Sequence, residues 1–155
     1  IQLDTVDSRQ SVELIDDAYN ANPASLAASL EVLAAATPKN GVGRIAKGRR
    51  IAYLGDMKEL GARERDLHRD MAALAAIKQI DVVHCIGPLM REMWQALPEH
   101  KRGHWTETAD KMAERVGHDL DAGDVVLAKG SLSMGVGRVV DAIRKMRQAP
   151  ADVDG

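Results

Sequence analysis

Val12-Glu13-Leu14-Ile15-Asp16-Asp17-Ala18-Tyr19-Asn20-Ala21-Asn22-Pro23 is the stretch whose reading decides the fold. Its short, largely apolar start predicts a strand over 11–15, and a polar string follows. Pro23 suits the first turn of a helix, and Leu26, Leu30 and Leu33 then recur at helical spacing through Ala36. The string is therefore a strand-to-helix turn carrying carboxylates, a phenol and two amides. In an open α/β sheet, such turns lie at the carboxyl ends of strands, where ligands bind.

Outward from this turn the same alternation repeats. Strands are expected over 50–54, 81–86, 104–105 and 124–128, and helices over 62–78, 89–97, 108–120 and 136–146. Thr106 or Thr108 is the expected cap of the helix over 108–120. Residues 37–49 read as a loop rich in Gly, Lys and Arg, and 149–155 as a tail, so the domain spans 1–148. Strands alternating with helices imply βαβ units and a mainly parallel sheet, hence an α/β fold. Right-handed crossovers place the strand-to-helix turns along one edge. Three of those turns, over 16–22, 55–61 and 129–133, carry unusual residues.

Bulk properties narrow the field. A chain of 155 residues fits one domain of ordinary size with a sizeable core. A formal charge of −2 without a clustered basic face gives no nucleic-acid footprint. The lone Cys85 excludes an intramolecular disulfide and fits a reducing compartment, so a cytoplasmic location is expected. No apolar run approaches membrane-spanning length. No signal peptide is seen and the chain opens on Ile1, the expectation being a piece of a longer polypeptide. Phe is absent, so Leu, Ile, Val, Ala and gap-filling Met must build the core.

Gly43-Arg44-Ile45-Ala46-Lys47-Gly48-Arg49-Arg50 imitates P-loop spacing. Arg49 stands where the phosphate lysine belongs and Arg50 where a magnesium-binding hydroxyl belongs. The string also precedes a strand instead of joining a strand to a helix, so it reads as a basic surface loop. A use of ATP would need another part of the polypeptide to hold most of the triphosphate.

Each unusual turn has its own chemistry. In the first, Asp17 can accept ribose hydroxyls, Tyr19 can stack on a base, and Asn20 and Asn22 can read polar edges; capping and turn formation are the plainer roles. In Leu54-Gly55-Asp56-Met57-Lys58-Glu59-Leu60-Gly61, Gly55 permits a close backbone approach, and Asp56 and Glu59 can hold a cation-bearing or hydrogen-bonding group. In Lys129-Gly130-Ser131-Leu132-Ser133, a lysine ending a buried strand can bind an anion together with nearby amides. His68, two positions from Asp66 and Asp70, reads as a surface or packing residue, and His84 beside Cys85 as structural.

Together, Asp17 to Pro23, Leu54 to Gly61 and Lys129-Gly130-Ser131 resemble the C-terminal domain of the Mur ligases over about 12–146. The resemblance is greatest to the branch that adds D-alanyl-D-alanine to UDP-N-acetylmuramoyl-tripeptide in peptidoglycan synthesis. It implies a Rossmann-like three-layer domain, with the UDP-sugar held by an N-terminal domain and ATP and Mg2+ mainly by a central one. It also implies that Asp17, Tyr19, Asn20 and Asn22 face the nucleotide. Asp56, Lys58, Glu59, Gly130 and Ser131 would face the acyl phosphate and dipeptide, with Lys129 as the catalytic cation and no metal ligand in this chain. One departure is Leu132, where family members often carry a basic or polar residue. Two other readings stay open on the residues: a non-catalytic nucleotide-binding module, and a ligase of the folylpolyglutamate or cyanophycin type with another amine substrate.

Overall fold

The computed structural model describes residues 2–6 and 12–146; residue 11 and the expected tail over 149–155 lie outside them. The elements are β1 (Gln2–Val6), β2 (Val12–Asp17), α1 (Pro23–Ala35), β3 (Arg50–Gly55), α2 (Glu64–Asp70), β4 (Val82–Ile86), α3 (Met90–Ala96), β5 (Arg102–Thr106), α4 (Ala109–Ala113), α5 (Val116–Asp119), β6 (Val125–Lys129) and α6 (Gly137–Met146). They form a six-stranded sheet in the order β1-β2-β6-β3-β4-β5. The pairs from β2 to β5 are parallel, and β1 runs antiparallel to β2 at the edge. The α/β class and mainly parallel sheet are as the sequence implies. The edge strand β1 was not expected, because Gln2-Leu3-Asp4-Thr5-Val6 has only two apolar residues, three positions apart, and so lacks the alternation that marks a strand.

Local chemistry explains the elements. Asn22 caps α1: its side chain accepts from the Ser25 N–H at 2.8 Å, and the Ser25 hydroxyl accepts from the Asn22 N–H at 3.0 Å. β6 is buried along its whole length, as a central strand covered on both faces must be. Leu26, Leu30, Leu54, Met90 and Leu127 pack on the face covered by α1, α2 and α3. Leu14, Tyr53, Val126, Val139 and Ile143 pack on the face covered by α4 to α6. In this Phe-free core, Met57, Met90, Met93 and Met112 are each 0% exposed.

Two expected helices are interrupted. Only Glu64–Asp70 of the stretch over 62–78 is α-helical, and Leu74 is extended at φ −62° and ψ 141°. Met71 and Ile77 both reach the core, yet six residues along a regular helix would set them about 120° apart. The break brings both inward. Over 108–120, Thr108 provides the cap by accepting from the Lys111 N–H at 3.3 Å. The helix then tightens where the Arg115 N–H bonds the Met112 carbonyl at 3.0 Å, dividing α4 from α5. Among the described residues no helix is long and apolar enough to cross a membrane.

The basic loop over 37–49 lies at the amino edge of the sheet, before β3. The Asp121 carboxylate accepts from the Arg44 and Ile45 amides at 3.1 and 2.6 Å, and Asp124 pairs with the Arg49 guanidinium at 3.0 Å. Its P-loop-like spacing thus sits opposite the strand-to-helix turns.

Under α5, the Tyr53 and His84 rings stack at 4.5 Å. The Tyr53 hydroxyl donates to Asp119 at 3.1 Å, and the His104 N–H donates to His84 Nδ1 at 2.9 Å. Burial, then the neighbouring His104, Arg115 and Arg49, push His84 down to about 3. The unfolded imidazole takes up a proton below about 6.5. Between those values the unfolded chain binds more protons, so stability falls as pH drops through that window. Urea unfolding of His84→Gln across this range should show a slope of ΔG against pH lower by up to about 1.4 kcal/mol per pH unit. An unaltered slope would mean that His84 does not carry this dependence.

Candidate functional site

Strand order sets the three unusual turns side by side. The turn after β6 is central, flanked by those after β2 and β3. Lys129 is in register with Asp17 on one side and Leu54 on the other, so all three turns leave the sheet at one level.

The first and central turns are joined by a buried ion pair. The Lys129 side chain is 2% exposed, and its Nζ donates to Asp17 Oδ2 at 2.6 Å and to the Asn20 carbonyl at 2.8 Å. The Ser29 hydroxyl of α1 donates to the same Asp17 oxygen at 2.8 Å. Burial raises the affinity of Asp17 for a proton, but the bonds from Lys129 and Ser29 outweigh it and hold the carboxyl below its ordinary value.

The central turn and the turn after β3 touch through glycine. A Cβ on Gly55 would lie 2.7 Å from Val136 Cγ2, and one on Gly130 would lie 2.6 Å from that same methyl. Beyond this contact the Ser131 N–H donates to the Asp56 carbonyl at 3.1 Å, and the Ser131 hydroxyl accepts from the Lys58 N–H at 2.9 Å. The Met57 N–H donates to His68 Nε2 at 2.9 Å. The Asp56 carboxylate is fully buried and accepts from the Leu89 and Met90 amides at 3.3 and 2.6 Å.

The expected site residues therefore divide in two. Tyr19, Asn20, Lys58 and Glu59 are exposed at the carboxyl edge, as is Asn22, whose side chain is spent on capping α1. Tyr19 stands 64% exposed, and Lys58 Nζ lies 3.7 Å from Asp56 Oδ2 with its side chain 41% exposed. Glu59 adopts a left-handed φ of 63°. Asp17, Asn22, Asp56, Lys129, Gly130 and Ser131 instead build the edge: they cap, pair or pack the turns against one another. The expectation of Lys129 as a catalytic cation meets an ammonium committed to Asp17 and Asn20, because Asp17 stands in register on the neighbouring strand and its carboxylate captures the ammonium inside. Asp56, expected to face substrate, faces the turn before α3. Leu132 is 69% exposed beside this edge. Ser29, His68 and Val136 were not singled out from sequence as site residues. Each meets its partner only through tertiary packing, and His68 is 0% exposed.

Comparison with known proteins identifies the family and the fold. Residues 3–132 match the family described as Mur ligase, glutamate ligase domain. The UDP-N-acetylmuramoyl-tripeptide–D-alanyl-D-alanine ligase of Bacillus subtilis is 27% identical over 144 residues, covering 90% of this chain and 30% of that protein. The ligase of the same name from Mycobacterium tuberculosis is 34% identical over 151 residues, covering 85% of this chain and 28% of its own length. The crystal structure of MurF ligase from Thermotoga maritima in complex with ADP superposes with a TM-score of 0.71 at 26% identity, over 92% of this chain and 30% of that one. The chain thus spans about 30% of the length of such relatives. On the family match, the shared fold and the three adjacent turns, this chain belongs to the Mur ligase family and forms its glutamate ligase (C-terminal) domain.

Proposed function

We propose that this chain serves as the C-terminal domain of an ATP-dependent ligase that joins D-alanyl-D-alanine to UDP-N-acetylmuramoyl-tripeptide in peptidoglycan synthesis, in the bacterial cytoplasm. The observation that carries this reading is the convergence of the three motif turns at one sheet edge, with Tyr19 and Lys58 exposed there. The names of the relatives support the choice of acceptor. The tripeptide carboxylate takes the γ-phosphoryl group of ATP and ADP is released. The dipeptide amine then attacks the carbonyl carbon, the C–N bond forms, the C–O bond to phosphate breaks, and phosphate and the amine proton are released. That sequence demands alignment and charge neutralisation more than a protein nucleophile. Tyr19 and Asn20 face the nucleotide, Tyr19 offering a ring to the base. Lys58 offers a cation to the acyl phosphate or the dipeptide carboxylate, with Glu59 beside it. Lys129, Asp17, Gly130, Ser131, Asp56 and Asn22 hold those groups in place. The triphosphate and Mg2+ are held mainly by a central domain outside this chain.

In the full-length ligase, Lys58→Ala should raise the KM for D-alanyl-D-alanine about tenfold, the lower end for a charge-assisted bond at a half-exposed site. The melting temperature should stay near wild type. Unchanged kinetics would return Lys58 to a solvated surface role. Failure of the full-length protein to ligate D-alanyl-D-alanine, with activity on another amine, would overturn the choice of substrate.

A further inference from the structure

We propose that His68 is a positioning residue, whose unprotonated Nε2 holds the Met57 amide and thereby sets the loop that presents Lys58. Three consecutive amides of this loop are fixed by three different elements. The Asp56 N–H donates to the Ile86 carbonyl of β4 at 3.2 Å, the Met57 N–H to His68 Nε2 at 2.9 Å, and the Lys58 N–H to the Ser131 hydroxyl at 2.9 Å. The middle one comes from a side chain of α2. His68 Nδ1 lies 2.6 Å from the Glu64 carbonyl, which can only accept. The ring proton therefore sits on Nδ1, and the lone pair of Nε2 faces Met57. One helical turn, Glu64 to His68, thus selects the tautomer that the loop requires.

The surroundings make this bond consequential. The His68 ring and the Met57 side chain are both 0% exposed, so no water replaces the acceptor if it is lost. The next residue is Lys58, followed by Glu59 at φ 63° and Gly61 at φ 77°. A chain that already holds a non-glycine residue in the left-handed region needs its flanking segment fixed from outside. The Met57 amide lies one residue before Lys58, so its release leaves the Lys58 backbone held on one side only, by the Ser131 hydroxyl, and small misplacements of a positioning group are costly to catalysis.

The kinetic part of this inference rests on the ligase reading; the structural part does not. The test compares full-length His68→Leu, which keeps bulk and loses the acceptor, with His68→Gln, whose side-chain carbonyl can take the place of Nε2. Amide hydrogen exchange in the peptide spanning 56–61 should accelerate about ten- to a hundredfold in His68→Leu and return close to wild type in His68→Gln. The turns after β2 and β6 should exchange as before. The KM for D-alanyl-D-alanine should rise about tenfold in His68→Leu, with the Gln variant restoring it. Exchange that is unchanged at 56–61, or accelerated evenly over the whole core, would overturn the proposal. Accelerated loop exchange with unaltered kinetics would support the latch and overturn the placement of dipeptide at this edge.

Discussion

Lys129→Ala is expected to cost the fold about 3 kcal/mol and to lower ligation by the full-length enzyme more than tenfold. The ammonium is 2% exposed and bonded to both Asp17 and the Asn20 carbonyl. Its removal leaves a carboxylate with the Ser29 hydroxyl and a backbone carbonyl without its donor. Breaking a buried pair by deleting one partner typically costs about 3–5 kcal/mol. The lower figure applies because the Asp17 side chain, 21% exposed, can still reach water. Urea unfolding at neutral pH measures the loss directly.

The pH dependence supplies an independent check. Asp17 has its folded pKa lowered from 3.8. Its stabilisation is therefore fully present above the unfolded value and disappears as pH falls through the folded one. The wild-type and Lys129→Ala stability curves should converge in that acidic window. Pairing Lys129→Met with Asp17→Asn separates two roles for the lysine. Stability and activity that recover together mark a positioning residue. Recovered stability with activity still lost would mean that Lys129 also touches substrate.

Gly130→Ala is expected to destabilise by about 1–3 kcal/mol, the usual cost of overpacking a filled core. The new Cβ would lie 2.6 Å from Val136 Cγ2 and 3.1 Å from the Gly55 Cα. Val136 is fully buried and β-branched, so it cannot swing aside cheaply. Relief must come from separating the turns after β6 and β3, which would also stretch the bond between the Ser131 amide and the Asp56 carbonyl. Ligation should fall with stability. Adding Val136→Ala removes the obstructing methyl, so the double variant should be more stable than the sum of the single costs implies, by about 0.5–3 kcal/mol. Strictly additive costs would show that the two residues do not meet in the way described.

Much of this protein was legible in its residues. The run from Val12 to Pro23 specified a strand, a polar turn and a capped helix, because the apolar pattern, Asn22 and Pro23 act over a few neighbouring positions. Alternation of such units implied a parallel sheet with its turns on one edge, and the three motif turns do stand there side by side. Local pattern could not show where Met71 and Ile77 would both turn inward, so the helix over 62–78 was read as continuous. Nor could it distinguish residues that meet a ligand from residues that build its platform. Asp17 and Lys129 are 112 positions apart, and their pairing exists only because β6 lies beside β2. The acceptor His68 and the close packing of Gly55, Gly130 and Val136 have the same origin. Hydrophobic periodicity and capping are short-range and are written along the chain. Burial, partner choice and which side chains remain free at the edge depend on long-range strand order and core packing, which only the tertiary structure decided.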